Sequence, residues 1–417
     1  MSGSGFPSLA LVVALQVVHG SSRSLTLGGG AVAPPASAAG LCASGITIHG
    51  YQCQEFDVVT KDGYILSMQR IPEGRAGGGS NKQPVFIQHG VLVDGSAWLV
   101  NSPEQNLPLI LADNGFDVWI ANGRGTQFSR RHTSLSPANP EFWDWSWDEL
   151  AAFDLPAVFD LIHGKTGKKV HYVGHSLVRN CFRYTSRNWA GTTTALASLS
   201  EGKLVDKLQS VALLSPVAHL THITTALGVV LARSFLAEVG TLIGLAEFNP
   251  VSKPVADFRK ALCARPGLHC YDFLTALTGP NCCLNVSTAD LFLKNYPQST
   301  SMKNLVHLSQ MVRDGGLAKY NYEIASSNMM HYGDARPPVY NLSNIPHDVP
   351  MFLSYGGLDA LADPKDVQLL LDSLKLHDVG KLTVQFVKDY AHMDFLMGVN
   401  AKDIVYTQVL SFFKNQH

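Results

Sequence analysis

The 417-residue chain lacks an excess of charge of either sign: 32 Lys and Arg stand against 33 Asp and Glu, a net charge of −1. Without a basic field there is nothing to gather a nucleic-acid backbone, and without long charge runs there is no solvated tail. No C-x-x-C pair occurs among the seven cysteines, Cys42, Cys53, Cys181, Cys263, Cys270, Cys282 and Cys283. The usual spacing of zinc and redox sites is therefore missing. No phosphate-cradling glycine loop and no internal repeat appears, and no cofactor is expected. Nor is there an apolar run long enough to cross a bilayer. The longest at the N-terminus, Leu9 to Val18, is broken only by Gln16, and its length suits the apolar stretch of a signal peptide.

What is present is a globular composition, 46% hydrophobic and 16% charged, sufficient for a packed core. Residues 1–22 read as a secretory signal even though no Lys or Arg precedes the apolar run. Residues 23–41, rich in Gly, Ala, Ser and Pro, read as a flexible leader, so folding is expected to start near Cys42. The odd cysteine count leaves one thiol over. Two sequons, Asn285-Val-Ser and Asn341-Leu-Ser, are glycosylation candidates if the chain is secreted or reaches a vacuole or lysosome.

From Cys53 onward short apolar runs alternate with helical spacing. Two strand-like runs flank the Asp62-Gly63 turn signal. "PVFIQHG" (84–90), "FDVWIANGRG" (116–125), "KVHYVGHS" (169–176), "SVALLSP" (210–216), "VPMFLSYGG" (349–357) and "LTVQFV" (382–387) follow. Such nearly continuous apolar strands belong to a mostly parallel sheet buried on both faces. The fold class is α/β, doubly wound, opened by an antiparallel hairpin. The interval 217–335 breaks this rhythm with apolar helical sequence. It is expected to form a cap over the C-terminal edge of the sheet, dividing the core into 42–216 and 336–417; ordinary crossover helices are the alternative.

Gly174-His175-Ser176 follows a strand and precedes a helical stretch, as a nucleophilic serine does on a strand-to-helix elbow. G-x-S alone is common; its place after "KVHYV" gives it weight. A serine hydroxyl needs a histidine to take its proton and a carboxylate to orient that histidine, here in the chain order Ser, acid, His. Asp359, just after a strand ending in Gly-Gly, is the first candidate acid, with Asp363, Asp389 and Asp394 as competitors. His392, after the last strand, is the candidate base. Oxyanion donors would be the backbone N–H groups of Leu177 and of Val91, in the loop after "PVFIQHG".

Six segments, "QHGVLVDGSAWLVN", "DVWIANGRGTQFSRRH", "FWDWSWDELAAFDLPA", "HYVGHS", "YGGLDALADPKDV" and "YAHMDF", together resemble the acid lipase family of gastric and lysosomal acid lipases. The segment "NCCLNVSTADLFLKNYPQSTSMKNLVHL" resembles its plant triacylglycerol lipase 2-like branch most. The resemblance implies an α/β-hydrolase fold and hydrolysis of water-insoluble esters, acylglycerols or steryl esters, at a membrane or lipid-droplet surface. It also implies Ser176, Asp359 and His392 as the triad and Val91 and Leu177 as oxyanion donors.

One departure stands out. The glycine that should follow the serine by two residues is Val178, and a glycine arrives only at Gly191. Removing residues 178–190 would leave "GHSLGTTTALASLSEGKLV", and would also remove Cys181. With those thirteen residues present, at about 100° each, the next helix face would turn by roughly 220°. Val178 would bring a branched side chain to the elbow's close approach, where overpacking costs about 1–3 kcal/mol. The expectation is that something loops out or repacks. The alternative to an active lipase is a lipid-binding relative with an impaired elbow.

Overall fold

The computed structural model describes residues 40–416 apart from Ser80, Val91, 177–190, 226–228, 230–231 and 250–269. The first described residues are already packed: Leu41 and Ile46 are buried, and Cys42 is joined to Cys53. β1 (Gln54–Val59) and β2 (Tyr64–Ile71) pair antiparallel across Asp62-Gly63. Gly63 has φ 95°, and a Cβ there would lie 2.6 Å from the His132 ring, so the turn requires glycine.

β3 (Gln83–Gln88), β4 (Phe116–Ala121), β6 (Val170–His175), β7 (Leu208–Leu214), β10 (Met351–Gly356) and β11 (Leu382–Val387) form the body of the sheet. Its order is β1-β2-β4-β3-β6-β7-β10-β11, with β5 (Arg131–His132) paired to β2. All pairings from β4 to β11 are parallel. β4 and β6 are buried along their whole length, because helices cover both faces of a parallel sheet; β11, expected to be buried likewise, is the edge strand and leaves Val384 and Phe386 exposed. The helix Leu155–Thr166 ends at Gly167, in the left-handed conformation that closes a helix.

The chain leaves β3 for β4 on one side and returns to β6 on the other. This reversal of direction opens a crevice at the carboxyl ends of β3 and β6, where open α/β sheets bind ligands. Gln88 pairs with Gly174, so the loops that follow the two strands leave the sheet at the same height.

Between β7 and β10 the described residues form the helices Leu236–Leu242, Cys270–Thr278, Val286–Asn295, Met302–Asp314 and Ala325–Tyr332. They also form a short antiparallel pair, β8 (Glu247–Phe248) with β9 (Thr300–Ser301), which the helical reading of this interval did not anticipate. No described helix is long and apolar enough to cross a membrane.

Candidate active site

β6 delivers Ser176 into the crevice. The Ser176 N–H donates to the Leu214 carbonyl at 3.0 Å, so β6 stays pinned to β7 up to the serine itself. Ser176 has φ 62°, a left-handed conformation costly for a residue with a side chain and found where the surroundings enforce it. The turn is enforced by close backbone contacts. A Cβ on Gly174 would strike the Gly191 carbonyl. A Cβ on Gly191 would lie 2.8 Å from the Gln88 carbonyl oxygen and 2.9 Å from the His175 nitrogen and oxygen.

This arrangement corrects the expectation for Val178. The close-approach position is held by Gly191, first residue of the helix Gly191–Ser200, and all ten residues of that helix are buried. The helix therefore keeps its burial with residues 178–190 present in the chain. Those residues, Cys181 among them, lie outside the described residues.

The acid and base arrive from the other half of the crevice. Asp359 follows β10, His392 follows β11, and both are buried with Ser176. The Ser176 hydroxyl donates to His392 Nε2. His392 Nδ1–H donates to Asp359, 2.9 Å from Oδ2 and 3.0 Å from Oδ1. Asp359 Oδ1 also accepts the N–H groups of Leu361 at 2.9 Å and Ala362 at 2.8 Å. Burial is the largest influence on this carboxyl and pushes its pKa up. The facing His392 and the two amides together outweigh it and hold the pKa below the usual carboxylate range. His175 Nε2–H donates to the His392 carbonyl at 3.2 Å, and burial lowers the His175 pKa to about 3. A neutral ring thus supports the loop without adding charge beside the pair.

The competing carboxylates have other partners. Asp363 caps the helix Pro364–Ser373, accepting from Lys365 N–H at 2.9 Å. Asp394 accepts the amides of Ala391 at 2.8 Å, Cys283 at 3.0 Å and Cys282 at 3.2 Å. Asp389 is exposed.

Val91 and Leu177, the expected oxyanion donors, lie outside the described residues, but the neighbour of each is in place. Gly90 lies so near that a Cβ on it would be 3.0 Å from Ser176 Cβ and 3.4 Å from its Oγ. The loop beyond is tied down by Asp94, whose partners no spacing in the sequence announces. Asp94 accepts Tyr296 O–H at 3.0 Å, Ser96 N–H at 3.0 Å and Gln127 Nε2–H at 2.7 Å. Gln298 N–H donates to the Leu92 carbonyl at 2.7 Å. Only the fold could reveal these tethers, because Tyr296 and Gln298 come from the interval between β7 and β10. Among the described residues the one cluster of metal-type ligand atoms is Cys282, Cys283 and Asp394, and the two sulfurs are bonded to each other.

A buried hydroxyl donating to an imidazole that is itself held by a carboxylate can become a nucleophile at neutral pH.

Residues 42–102 match the family model described as a partial alpha/beta-hydrolase lipase region. The chain is 56% identical to triacylglycerol lipase 2 of Arabidopsis thaliana over 98% of both chains. It is 36% identical to gastric triacylglycerol lipase of Rattus norvegicus, over 88% of this chain and 89% of the other. In fold it is similar to a soluble variant of monoglyceride lipase from Saccharomyces cerevisiae, with a TM-score of 0.53 and 12% identity over 88% of this chain and 95% of that one.

Proposed function

Because the chain belongs to the triacylglycerol lipase family of α/β-hydrolases, as a serine ester hydrolase, we propose that Ser176, His392 and Asp359 are its nucleophile, base and acid. The observation that carries this reading is the unbroken hydrogen-bonded line Ser176–His392–Asp359 at the carboxyl ends of β6, β11 and β10. Ser176 Oγ attacks the ester carbonyl of a triacylglycerol or related lipid ester while His392 Nε2 takes the hydroxyl proton. Backbone N–H groups of Val91 and Leu177 receive the oxyanion. His392 then protonates the departing alcohol, leaving an acyl-serine. A water that gives its proton to His392 releases the fatty acid and restores Ser176. Asp359 keeps the imidazole oriented and balances its positive charge.

Residues 42–216 and 336–417 act as the hydrolase core, and 217–335 as a cap over the site. Support for contact with a lipid surface comes from the exposed apolar side chains on and beside the helix Leu236–Leu242; Leu242 is 84% and Ile243 61% exposed. A secretory route, with residues 1–22 as signal and 23–41 as leader, suits the Cys42–Cys53 disulfide, since such bonds persist in oxidising compartments. Asn285 and Asn341 are both exposed, as glycan acceptors must be. The impaired-elbow alternative finds no support, since Gly191 fills the position that the elbow needs and the relatives are named as lipases. The test is a p-nitrophenyl alkylphosphonate. Covalent labelling of Ser176, lost in His392→Ala, is expected; folded wild-type protein left unlabelled would overturn the assignment.

A further inference from the structure

The acid loop leaves β10 and the base loop leaves β11, so the sheet aligns only their starting points. What joins them comes from a distant part of the chain, the interval between β7 and β10. Thr278, fully buried, ends the helix Cys270–Thr278. Its carbonyl accepts the His392 N–H at 3.1 Å and the Ala360 N–H at 3.4 Å, one amide from each loop. Gly279 follows with φ 96°, and a Cβ there would run into the Leu358 carbonyl, so only glycine passes between the loops.

Asn281 then completes the clamp. Its Oδ1 accepts the Met393 N–H at 3.0 Å. Its Nδ2 donates to Thr278 Oγ1 at 2.7 Å and to the Gly279 carbonyl at 3.0 Å. The peptide units on both sides of His392 therefore end on the segment Thr278–Asn281. On the adjoining turn Asp394 gathers the amides of Ala391, Cys282 and Cys283. A buried site that needs one acceptor and two donors on one short side chain is met by asparagine.

We propose that Asn281 is a positioning residue for ester hydrolysis: it locks the peptide between His392 and Met393, so that the imidazole stays in line between Ser176 and Asp359. This rests on the triad reading given above. Asn281 touches neither substrate nor reacting atoms, so its loss should slow the chemical step rather than weaken substrate binding. Misplacing a base by a fraction of an ångström to an ångström costs about tenfold to a hundredfold in rate.

The full chain, Asn281→Ala and Asn281→Asp are compared with p-nitrophenyl alkylphosphonate and a soluble ester. During labelling the Ser176 Oγ–P bond forms, the P–O bond to nitrophenolate breaks, and the hydroxyl proton passes to His392. The amplitude of nitrophenolate release counts competent sites and its rate reports each site's reactivity. The expected result for Asn281→Ala is a near-native amplitude, a per-site rate at least about tenfold lower, and an unchanged KM. Asn281→Asp, which keeps an oxygen for Met393 but loses the amide donors, should fall between the two, and it carries the test if the alanine variant does not fold. A reduced amplitude with an unchanged per-site rate in either folded variant would make Asn281 merely structural and overturn the proposal. An unlabelled wild type would instead bring down the triad reading, and the proposal with it.

Discussion

Gly191→Ala tests the elbow with a single methyl group. In an ordinary helix this change stabilises by about 0.5–1 kcal/mol, because alanine loses less backbone freedom on folding. At Gly191 the added carbon would meet the Gln88 carbonyl oxygen at 2.8 Å and the His175 nitrogen and oxygen at 2.9 Å. All three are backbone atoms of β3 and β6, which cannot swing aside as a flexible side chain would. Overpacking of this kind costs about 1–3 kcal/mol, so the helical gain is offset and the net change is destabilising by up to about 2.5 kcal/mol. Relief requires His175 to shift, and Ser176 with it, so labelling by phosphonate should slow about tenfold or more. The assays are the urea midpoint and the phosphonate rate per site. A companion variant, with residues 178–190 removed so that Leu177 joins Gly191, should retain the labelling rate, because Gly191 already occupies the position that a glycine two residues after Ser176 would take. A Gly191→Ala protein as stable and as reactive as the wild type would refute the reasoning.

Other substitutions probe the remaining charges. Asp359→Asn should leave the protein folded but lower kcat by roughly 10⁴, because the amide no longer selects the imidazole tautomer that accepts the serine proton; steady-state hydrolysis of a soluble ester reads this directly. Arg124 is fully buried, paired with Asp154 and Asp62 and lying 3.8 Å from the Tyr64 ring. Arg124→Met should cost about 3–5 kcal/mol in urea unfolding by leaving Asp154 buried without its cation. Asp148 has its pKa raised to about 6, by burial first, against the opposing hydrogen bonds from Tyr320 N–H and Tyr340 O–H. A carboxyl whose folded pKa lies above its unfolded value holds its proton better when folded, so it favours folding at low pH and loses that contribution as pH rises from about 4 through 6. The stability of the wild type relative to Asp148→Asn should therefore fall across that window by about 2–3 kcal/mol, as measured by urea unfolding at a series of pH values.

Ser176, Asp359 and His392 were legible in the sequence because each follows an apolar strand at short range, and parallel strands present all their carboxyl ends on one edge. In the sequence only position separates Asp359 from Asp394. In the fold the two carboxylates do different things, since Asp359 faces His392 while Asp394 collects three amides. At the elbow glycine, spacing along the chain and the fold part. Counted along the chain it is Val178; in space it is Gly191, because a close approach between strand and helix is satisfied by whichever residue reaches it.

The six motifs carried the family resemblance, and local pattern alone determined the strands and, for β3, β4, β6, β7 and β10, their burial in a parallel sheet. Those features depend on periodicity and short-range spacing, which the chain carries from residue to residue. The tertiary structure decided what bears on the reacting atoms from afar: Gly191 at the elbow, Asp94 held by Tyr296, and the clamp of Thr278 and Asn281 on the base loop. Hydrogen bonds to single backbone amides have no period and no fixed separation, so they exist only once folding has brought their partners together.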